Sequence, residues 1–502
     1  MDELTSAALL LSAIRNHGDR PAITFGGTTH TYADIDAASD RVAGALAALG
    51  IGRGDAVALH LRNGPEYVLS ELAIQKLAAI RVPLNELMAA PELSHCLEHS
   101  LAKALIAHTS LPEPDSTIPG LIRISVADEA AQRPGQIAWE DLLSGSPLST
   151  PTHAAAADTA ILAYTGGTTG RPKGVRHSYG RMAINLLAHV VCGDIRSDEV
   201  MLLTTPLPHS AGYHLAACLL QGGRGVLERR FDPVGVLATM AREGVTWTFA
   251  VPTMLYRLLD GLGPDAPDIS RLRTVVYGAA PMSRQRLEEA LQRLGPVFVQ
   301  IYGQTECPNF ITTLSKQDHA RADLLASCGR PVPFVQLRIA PGDDTEGQVG
   351  EVEVRSPYLL EEYFRDAEAT AAAVEAGWLR TGDIGFLNDG YLFLVDRAKD
   401  MIISGGMNVY STEVEAALRS HPAVAEAAVV GVPDADWGEA VTAMVVTRDP
   451  VTEPELKAFA RSRLSAYKTP KRIVFLGGLP LTAYGKIDKK ALRQRLVEGR
   501  AP

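Results

Sequence analysis

The sequence predicts an α/β protein with largely parallel sheets, on the strength of two observations. Stretches with helical periodicity, such as 32–49 and 66–79, alternate along the chain with short apolar runs typical of buried strands, such as 57–61 and 273–277. The chain has 502 residues, of which 46% are hydrophobic and 21% charged, so it can bury more than one core. We therefore expect two or more domains, the first of them a large α/β domain.

Composition narrows the class of protein. The first three residues include two acids where a secretory signal would be basic, and the apolar run 7–14 is too short to span a bilayer. The five cysteines are scattered without a CxxC pair, which favours buried free thiols. A formal net charge of −10 argues against a nucleic acid as partner. These observations predict a soluble cytoplasmic protein with no membrane span.

A glycine- and threonine-rich segment follows a strand predicted at 160–164. Glycines let successive backbone N–H groups turn toward one anion, hydroxyls add donors, and a lysine adds a point charge, so the segment is suited to cradle phosphate. It is not a Walker loop, because Pro172 precedes the lysine and Gly174 follows it. A surface turn is the alternative on composition alone. The candidate phosphate-binding residues are Thr165, Gly166, Gly167, Thr168, Thr169, Gly170 and Lys173.

After about residue 396 the pattern changes to a compact α+β block of roughly 100 residues, an ordinary domain size. A strand is predicted at 401–404, followed by a helix that Thr412 and Glu415 would open as a capping box. Strands at 427–430 and 442–446, a helix capped by Thr452 with Glu455, and a strand at 472–475 complete it.

Two further segments carry chemistry that suits a nucleotide. Segment 302–306 reads Tyr-Gly-Gln-Thr-Glu, and its carboxylate is the hard oxygen ligand that Mg²⁺ prefers. Segment 378–383 ends in Thr-Gly-Asp, whose carboxylate can accept from both hydroxyls of a vicinal diol. Taken alone, each is also typical of a turn.

Three more segments complete the pattern: Asp-Arg-Ala-Lys-Asp at 396–400, Ser-Gly-Gly-Met-Asn at 404–408, and 479–487, which contains a lysine. Separately they fit a solvated charge run, a tight turn and a surface lysine. Together and in this order the segments resemble the adenylate-forming superfamily, which includes acyl-CoA synthetases, freestanding adenylation enzymes and luciferases. The resemblance covers nearly the whole chain.

The resemblance implies roles on the nucleotide side. Tyr302 would stack near adenine, Thr305 would touch the α-phosphate, and Glu306 would help to hold Mg²⁺. Asp383 would bind the ribose hydroxyls and Arg397 would reach ribose or phosphate. Small residues beside the base would be Gly278, Ala279, Ala280 and Gly303. Many members of the family carry serine at the position of Gly166, so one hydroxyl donor is missing here.

The resemblance also implies how acid and thiol are handled. Lys486 would bridge the attacking carboxylate and the α-phosphate, and Lys399 would be the hinge about which the small domain rotates. Gly405 and Gly406 would let a pantetheine arm approach. His209 would border the carboxylate, although a packed core histidine is equally consistent with the sequence. The predicted acid pocket is lined by Ser210, Tyr213, Phe249 and Met254.

The fold expected from the resemblance is a large adenylate-forming domain of mixed sheets and flanking helices at 1–396 and a small mobile α+β domain at 397–502. The expected function is an AMP-forming carboxylic acid:CoA ligase that uses ATP, Mg²⁺ and coenzyme A. The apolar pocket favours an aromatic or medium-chain monocarboxylate, and Ser210 and Tyr213 keep a hydroxylated aryl acid open. Two alternatives are a freestanding enzyme that loads a carrier protein and an inactive nucleotide-binding protein. Whether the chain forms a homodimer is left open.

Overall fold

The computed structural model describes residues 3–115, 117–127, 133–165, 172–340, 347–397, 400–404, 407–434, 436–482 and 487–497. Contacts divide the chain into two compact units, one of residues 1–336 and 355–377 and the other of residues 337–354 and 378–502. Over the described residues, no helix is long and apolar enough to cross a membrane. The five cysteines are free; four are buried and Cys192 is half-buried.

Most helices bury one apolar stripe against a sheet or another helix. They are α1 (Ser6–His17), α2 (Tyr32–Ala48), α3 (Pro65–Lys76), α4 (Ala90–His99), α5 (Trp139–Leu143), α6 (Tyr179–Cys192), α7 (Gly212–Gln221), α8 (Pro233–Glu243), α9 (Pro252–Gly261), α10 (Arg284–Leu294), α11 (Ala367–Ala373), α12 (Ser411–Arg419), α13 (Glu453–Arg461) and α14 (Lys489–Val497).

The strands belong to four sheets. They are β1 (Pro21–Phe25), β2 (Thr28–Thr31), β3 (Ala56–His60), β4 (Ile80–Pro83), β5 (Ala104–His108), β6 (Ile122–Val126), β7 (Ile137–Ala138), β8 (Thr159–Thr165), β9 (Lys173–Ser178), β10 (Val200–Leu203), β11 (Arg224–Leu227), β12 (Trp247–Ala250), β13 (Thr274–Gly278), β14 (Phe298–Gln304), β15 (Cys307–Leu314), β16 (Arg330–Pro331), β17 (Gln336–Ala340), β18 (Gly350–Arg355), β19 (Glu362–Tyr363), β20 (Val374–Glu375), β21 (Trp378–Asn388), β22 (Tyr391–Arg397), β23 (Ile402–Ser404), β24 (Met407–Val409), β25 (Val424–Asp434), β26 (Gly438–Thr447) and β27 (Arg472–Phe475).

The first unit contains two mixed sheets. One runs β16-β15-β14-β13-β12-β10-β11-β1-β2, and its strands are parallel from β14 to β1. The other runs β19-β9-β8-β4-β3-β5-β6-β7, with parallel pairing from β8 to β7. Antiparallel pairs lie toward the sheet edges, where β14 meets β15 and β8 meets β9. The α/β prediction with mixed sheets is confirmed.

The parallel centre of the first sheet positions the candidate site. Strands β12, β13 and β14 are neighbours, and Gly278 at the end of β13 pairs with Ile301 in β14. Their carboxyl ends meet at one edge of the sheet, where open α/β sheets bind ligands. Ala279 and the 302–306 segment follow those ends directly. Tyr277 of β13 and Phe298 of β14 are buried with Leu255 of α9 in one apolar cluster, which holds the two strands in place.

The second unit contains two small sheets. Strands β18, β21 and β22 pair antiparallel, and β17 extends that sheet. In the C-terminal sheet, β25 and β26 form a long antiparallel pair. Alternate residues of β25 point to opposite faces, so Val429 packs with α12 and α13 while Val430 packs with α14. This is the predicted α+β arrangement.

Most of the predicted elements appear within a few residues of their expected bounds, and the strand at 472–475 appears as predicted. Thr452 and Glu455 form the predicted capping box of α13. The capping box predicted at Thr412 and Glu415 is wrong, because α12 begins at Ser411 after an N-cap without a side-chain bond. The Thr412 hydroxyl donates to the Val395 carbonyl instead.

Candidate active site

The β8–β9 hairpin places the predicted phosphate-binding lysine. Thr165 ends β8 and Lys173 begins β9, and the two residues face each other across the ladder. Tyr164 is buried, and its hydroxyl lies 2.9 Å from Nδ1 of His99. Nε2 of His95 donates to the Pro172 carbonyl at 3.0 Å. Gly166, Gly167, Thr168, Thr169 and Gly170, which were predicted to hold phosphate, lie outside the described residues.

Lys173 and Glu306 are brought together by a residue that the sequence did not single out. Tyr363 in β19 pairs with Val175 in β9, which sets its ring beside the start of the hairpin. The Lys173 ammonium lies 5.0 Å from the centre of that ring, and the Tyr363 hydroxyl donates to Oε1 of Glu306 at 2.7 Å. Burial raises the pKa of Tyr363, so the hydroxyl remains a donor. Tyr363 therefore contacts both groups: its ring faces the Lys173 ammonium, and its hydroxyl orients the Glu306 carboxylate.

The Thr305–Glu306 turn joins β14 to β15 and is held by its backbone carbonyls. Nε2 of His177 donates to the Thr305 carbonyl at 2.8 Å, and the Leu360 amide donates to the Glu306 carbonyl at 2.6 Å. Burial lowers the pKa of His177 to about 4, so this histidine is a neutral donor. His177 is a second residue that sequence reasoning missed.

Glycine is required near the ends of β13 and β14 for reasons of packing. A Cβ on Gly278 would collide with the Ile301 carbonyl, and a Cβ on Gly303 would lie 2.6 Å from the Asn309 backbone. Ala279 has a φ of +66° and is exposed together with Ala280. The small residues therefore let neighbouring strands approach closely, and their predicted contact with adenine stays a prediction.

His209 and Ser210 lie on a π-helical turn, Leu207–Ala211. Asn85 donates its side-chain N–H to Nε2 of His209 at 2.6 Å, while its own oxygen accepts the Leu87 amide at 2.8 Å. The Ser210 hydroxyl donates to Oδ1 of Asn309 at 2.7 Å. Both predicted acid-side residues are thus held by amide side chains that the sequence analysis did not name.

The other predicted pocket residues lie among packed side chains. Phe249 is buried with its ring centre 5.0 Å from that of His214, and Met254 packs on the apolar cluster around Leu255. The Tyr213 ring centre lies 5.8 Å from the Arg81 guanidinium carbon. A role of these three residues in contacting the acid stays a prediction.

In the second unit, the predicted ribose ligand and its predicted neighbour form a pair. Asp383 and Arg397 face each other across β21 and β22, with Nε of Arg397 3.2 Å from Oδ1 of Asp383. The Asp383 amide donates to the Thr381 hydroxyl oxygen at 3.1 Å, and Gly382 between them has a φ of +70°. Lys399, Gly405, Gly406 and Lys486 lie outside the described residues.

The side chains present fit a magnesium nucleotide. Mg²⁺ takes oxygen ligands, commonly one or two carboxylates with waters and phosphate oxygens, and Glu306 offers an oriented carboxylate. Among the residues that the structure describes, no group of three or more His, Cys, Asp or Glu side chains is placed to hold a metal. A single carboxylate beside a lysine suits an ion that arrives with its nucleotide.

The chain is similar to known proteins over almost its whole length. The pattern of the family described as "AMP-binding enzyme" matches residues 10–364, and that of its C-terminal domain matches residues 413–486. The chain is 36% identical to the medium/long-chain-fatty-acid–CoA ligase FadD8 of Mycobacterium tuberculosis, over 98% of this chain and 90% of that protein. It is 38% identical to the feruloyl-CoA synthase of an Amycolatopsis species, over 94% and 95% of the two chains.

A solved structure extends the likeness to the fold. The amide bond synthetase McbA of Marinactinospora thermotolerans superposes with a TM-score of 0.86 at 34% identity, covering 98% of this chain and 99% of that one. The predicted family resemblance, fold and acid–thiol ligase class are confirmed. Acyl-CoA ligases of this kind use ATP, Mg²⁺ and coenzyme A, as predicted. This chain belongs to the AMP-binding enzyme family.

Proposed function

We propose that this protein is an AMP-forming carboxylic acid:CoA ligase that acts on an aromatic or medium-chain apolar monocarboxylate. The observation that carries the proposal is the meeting of Lys173, Tyr363 and Glu306 at the start of β9, a cation and a fixed carboxylate on one ring. The ligase and synthase names of the two relatives support the same class of reaction.

The reaction proceeds in two substitutions. A carboxylate oxygen of the acid attacks the α-phosphorus of ATP, the bond to pyrophosphate breaks, and an acyl-adenylate forms. A thiolate sulfur then attacks the acyl carbon, and AMP leaves. Mg²⁺ held by Glu306 would supply charge neutralisation for the phosphate oxygens.

The residues of this chain orient and neutralise the reactants. Lys173 offers a positive charge to phosphate, and Tyr363 holds the Glu306 carboxylate in one orientation. Asp383, predicted to accept from the ribose hydroxyls, has its own orientation set by Arg397. Lys486 is proposed to neutralise the charge that builds between carboxylate and α-phosphate.

The thiol that accepts the acyl group is proposed to be that of coenzyme A. The alternative acceptor is the thiol of a carrier protein. The relatives' names support coenzyme A, whereas the amide bond synthetase has the same fold and another kind of product in its name. A cytoplasmic location is part of the proposal because the reaction consumes ATP and coenzyme A. Light scattering on the purified protein will decide between monomer and homodimer.

The test is detection of acyl-CoA by mass spectrometry. Purified protein is given MgATP, coenzyme A and a panel of aromatic, short, medium and long carboxylic acids, with Lys486→Ala as the matched variant. We expect a thioester of one acid class from the parent protein and its loss in the variant. Acyl-AMP without thioester would assign the acceptor to a carrier protein. Neither product with any acid would contradict the proposed function.

A further inference from the structure

Asn309 is a polar residue held in an unusual conformation inside an apolar strand. It belongs to β15, is 8% exposed, and has a φ of +62°, which asparagine tolerates better than most side chains. The side-chain amide of Asn185 donates to the Pro308 carbonyl at 2.9 Å, which ties α6 to the strand beside it. Gly303 leaves room for the Asn309 backbone on the other side. The backbone at Asn309 is therefore held from two sides.

The hydrogen bonds behind Asn309 have one possible direction. Nδ1 of His189 lies 2.8 Å from the Asn185 carbonyl, which can only accept, so this nitrogen carries the proton. Burial lowers the pKa of His189 to about 4, so the ring is neutral and Nε2 is an acceptor. Asn309 Nδ2 donates to that nitrogen at 2.8 Å. The amide oxygen of Asn309 is consequently turned toward Ser210.

This direction fixes what Ser210 can offer. Its hydroxyl proton is donated to Oδ1 of Asn309 at 2.7 Å, and Ser210 is half-buried while His189 is fully buried. A hydroxyl that has given its proton keeps two lone pairs. Ser210 Oγ can then enter a further bond only as an acceptor. We call this chain of hydrogen bonds the relay: it begins at the Asn185 carbonyl in α6, passes through His189 and Asn309, and ends at Ser210. It makes Ser210, on the turn that also carries His209, a hydrogen-bond acceptor.

We propose that Asn309 and His189 are positioning residues that make Ser210 an obligate hydrogen-bond acceptor, so that the enzyme selects acids whose tail carries a donor, such as a phenolic hydroxyl or an aryl amine. The inference rests on the proposed function and on the predicted place of Ser210 beside the acid, and it narrows the substrate class from aromatic or aliphatic acids to hydroxy- or aminoaryl acids. A methoxy group at the same place offers no proton and meets the Ser210 lone pairs without a bond.

The test compares acids that differ only at one substituent: 4-hydroxy-, 4-amino-, 4-methoxy- and unsubstituted cinnamate and benzoate, with the 3-substituted isomers. kcat and KM are measured by pyrophosphate release. We expect kcat/KM for the best donor-bearing acid to exceed that of its methoxy analogue by about tenfold or more. Equal or reversed preference in the parent protein overturns the inference, whereas activity with no acid contradicts the proposed function itself.

Three variants identify the relay. Ser210→Ala removes the acceptor, so the preference should fall to about twofold or less. Asn309→Gly suits the positive φ, keeps the Ser210 hydroxyl and frees its proton, so hydroxy and methoxy acids should become nearly equal. Asn309→Asp still accepts from Ser210 and should retain the preference. A preference that survives in either Ser210→Ala or Asn309→Gly overturns the inference. Ser39→Ala, which removes a buried hydroxyl that bonds its own helix, is the control.

A measurement without turnover separates the relay from simple packing. Nitrogen-15 NMR of the parent protein, assigned with a His189→Gln variant, should show His189 as the neutral tautomer with its proton on Nδ1. The opposite tautomer, or a charged ring at neutral pH, would reverse the direction of the relay and overturn the inference.

Discussion

At the scale of single residues, the Tyr363 hydroxyl is the contact that orients the candidate metal ligand. Tyr363→Phe removes the bond to the Glu306 carboxylate while keeping the ring beneath Lys173. A hydrogen bond to a charged group contributes about 1.5–3 kcal/mol, so kcat/KM for MgATP should fall between about tenfold and a hundredfold. Pyrophosphate release measured at several Mg²⁺ concentrations should show a higher Mg²⁺ requirement.

A matched control separates this effect from a loss of stability. The Tyr32 hydroxyl donates to the Gly223 carbonyl at 2.6 Å in the buried core, outside the predicted site. Tyr32→Phe should lower the free energy of unfolding by about 1 kcal/mol and leave the Mg²⁺ dependence unchanged. An unaltered Mg²⁺ dependence in Tyr363→Phe would mean that the Tyr363 hydroxyl does not orient a metal ligand.

The sequence predicted which motif residues to examine but not the partners that hold them. Tyr363 has no motif of its own, and it reaches Lys173 only because β19 pairs with β9, a register that local patterns do not contain. His177 gave no signal either. Asn309 could have been noticed, since asparagine is uncommon within an apolar strand. Its partner His189 depends on the packing of α6 against β15.

At the scale of elements, two segments with the same spacing behave differently. Thr452 and Glu455 close a capping box on the exposed start of α13. Glu415 instead accepts the Val429 amide at 2.9 Å, with the Lys489 ammonium 2.7 Å away. The Thr-x-x-Glu pattern is the same at both helices. In α12, however, Thr412 bonds the Val395 carbonyl and Glu415 bonds the Val429 amide and Lys489, so neither side chain caps the helix. At α12 the tertiary partners, which the local pattern does not contain, therefore decided against the predicted cap.

These two glutamates give a matched prediction. Glu455→Ala should lower the free energy of unfolding by about 1 kcal/mol, the value of an exposed cap. Glu415→Ala should cost about 3 kcal/mol, because the Val429 amide loses this acceptor and the Lys489 ammonium, which keeps the Ser411 hydroxyl, loses its paired carboxylate in a largely buried setting. Urea unfolding of the two variants measures the difference. Equal costs would show that the buried contacts of Glu415 contribute no more than a surface cap.

At the scale of the whole molecule, the α/β class and the order of elements could be predicted because they follow from hydrophobic periodicity. The grouping of elements into units depends on contacts between distant segments. Residues 378–397 group with the C-terminal residues, and the Thr412 hydroxyl bonds back to Val395 within that unit. The domain boundary predicted after residue 396 is the point about which the small domain would rotate during catalysis, and it stays a prediction.

The buried histidines make the stability of the molecule depend on pH. Burial lowers the pKa of His60, His177 and His189 to about 4 each, against 6.5 for an exposed ring. Above pH 6.5 neither the folded nor the unfolded chain protonates them, so their contribution is constant. Between pH 6.5 and about 4 the unfolded chain binds a proton at each of these histidines that the folded chain does not bind. Lowering the pH therefore lowers the free energy of unfolding, by about 1.4 kcal/mol per pH unit for each histidine.

Urea unfolding between pH 7.5 and 5.5 measures this loss. The three rings together should lower the free energy of unfolding by about 4 kcal/mol over that interval, since each contributes about 1.4 kcal/mol at one unit below 6.5. His60→Gln should reduce the loss by about 1.4 kcal/mol, because glutamine does not titrate; the loss that remains includes that of His214, whose pKa burial also lowers well below 6.5. A flat profile in the parent protein, or equal slopes in the parent and His60→Gln, would mean that these rings take up protons in the folded state near pH 6.5.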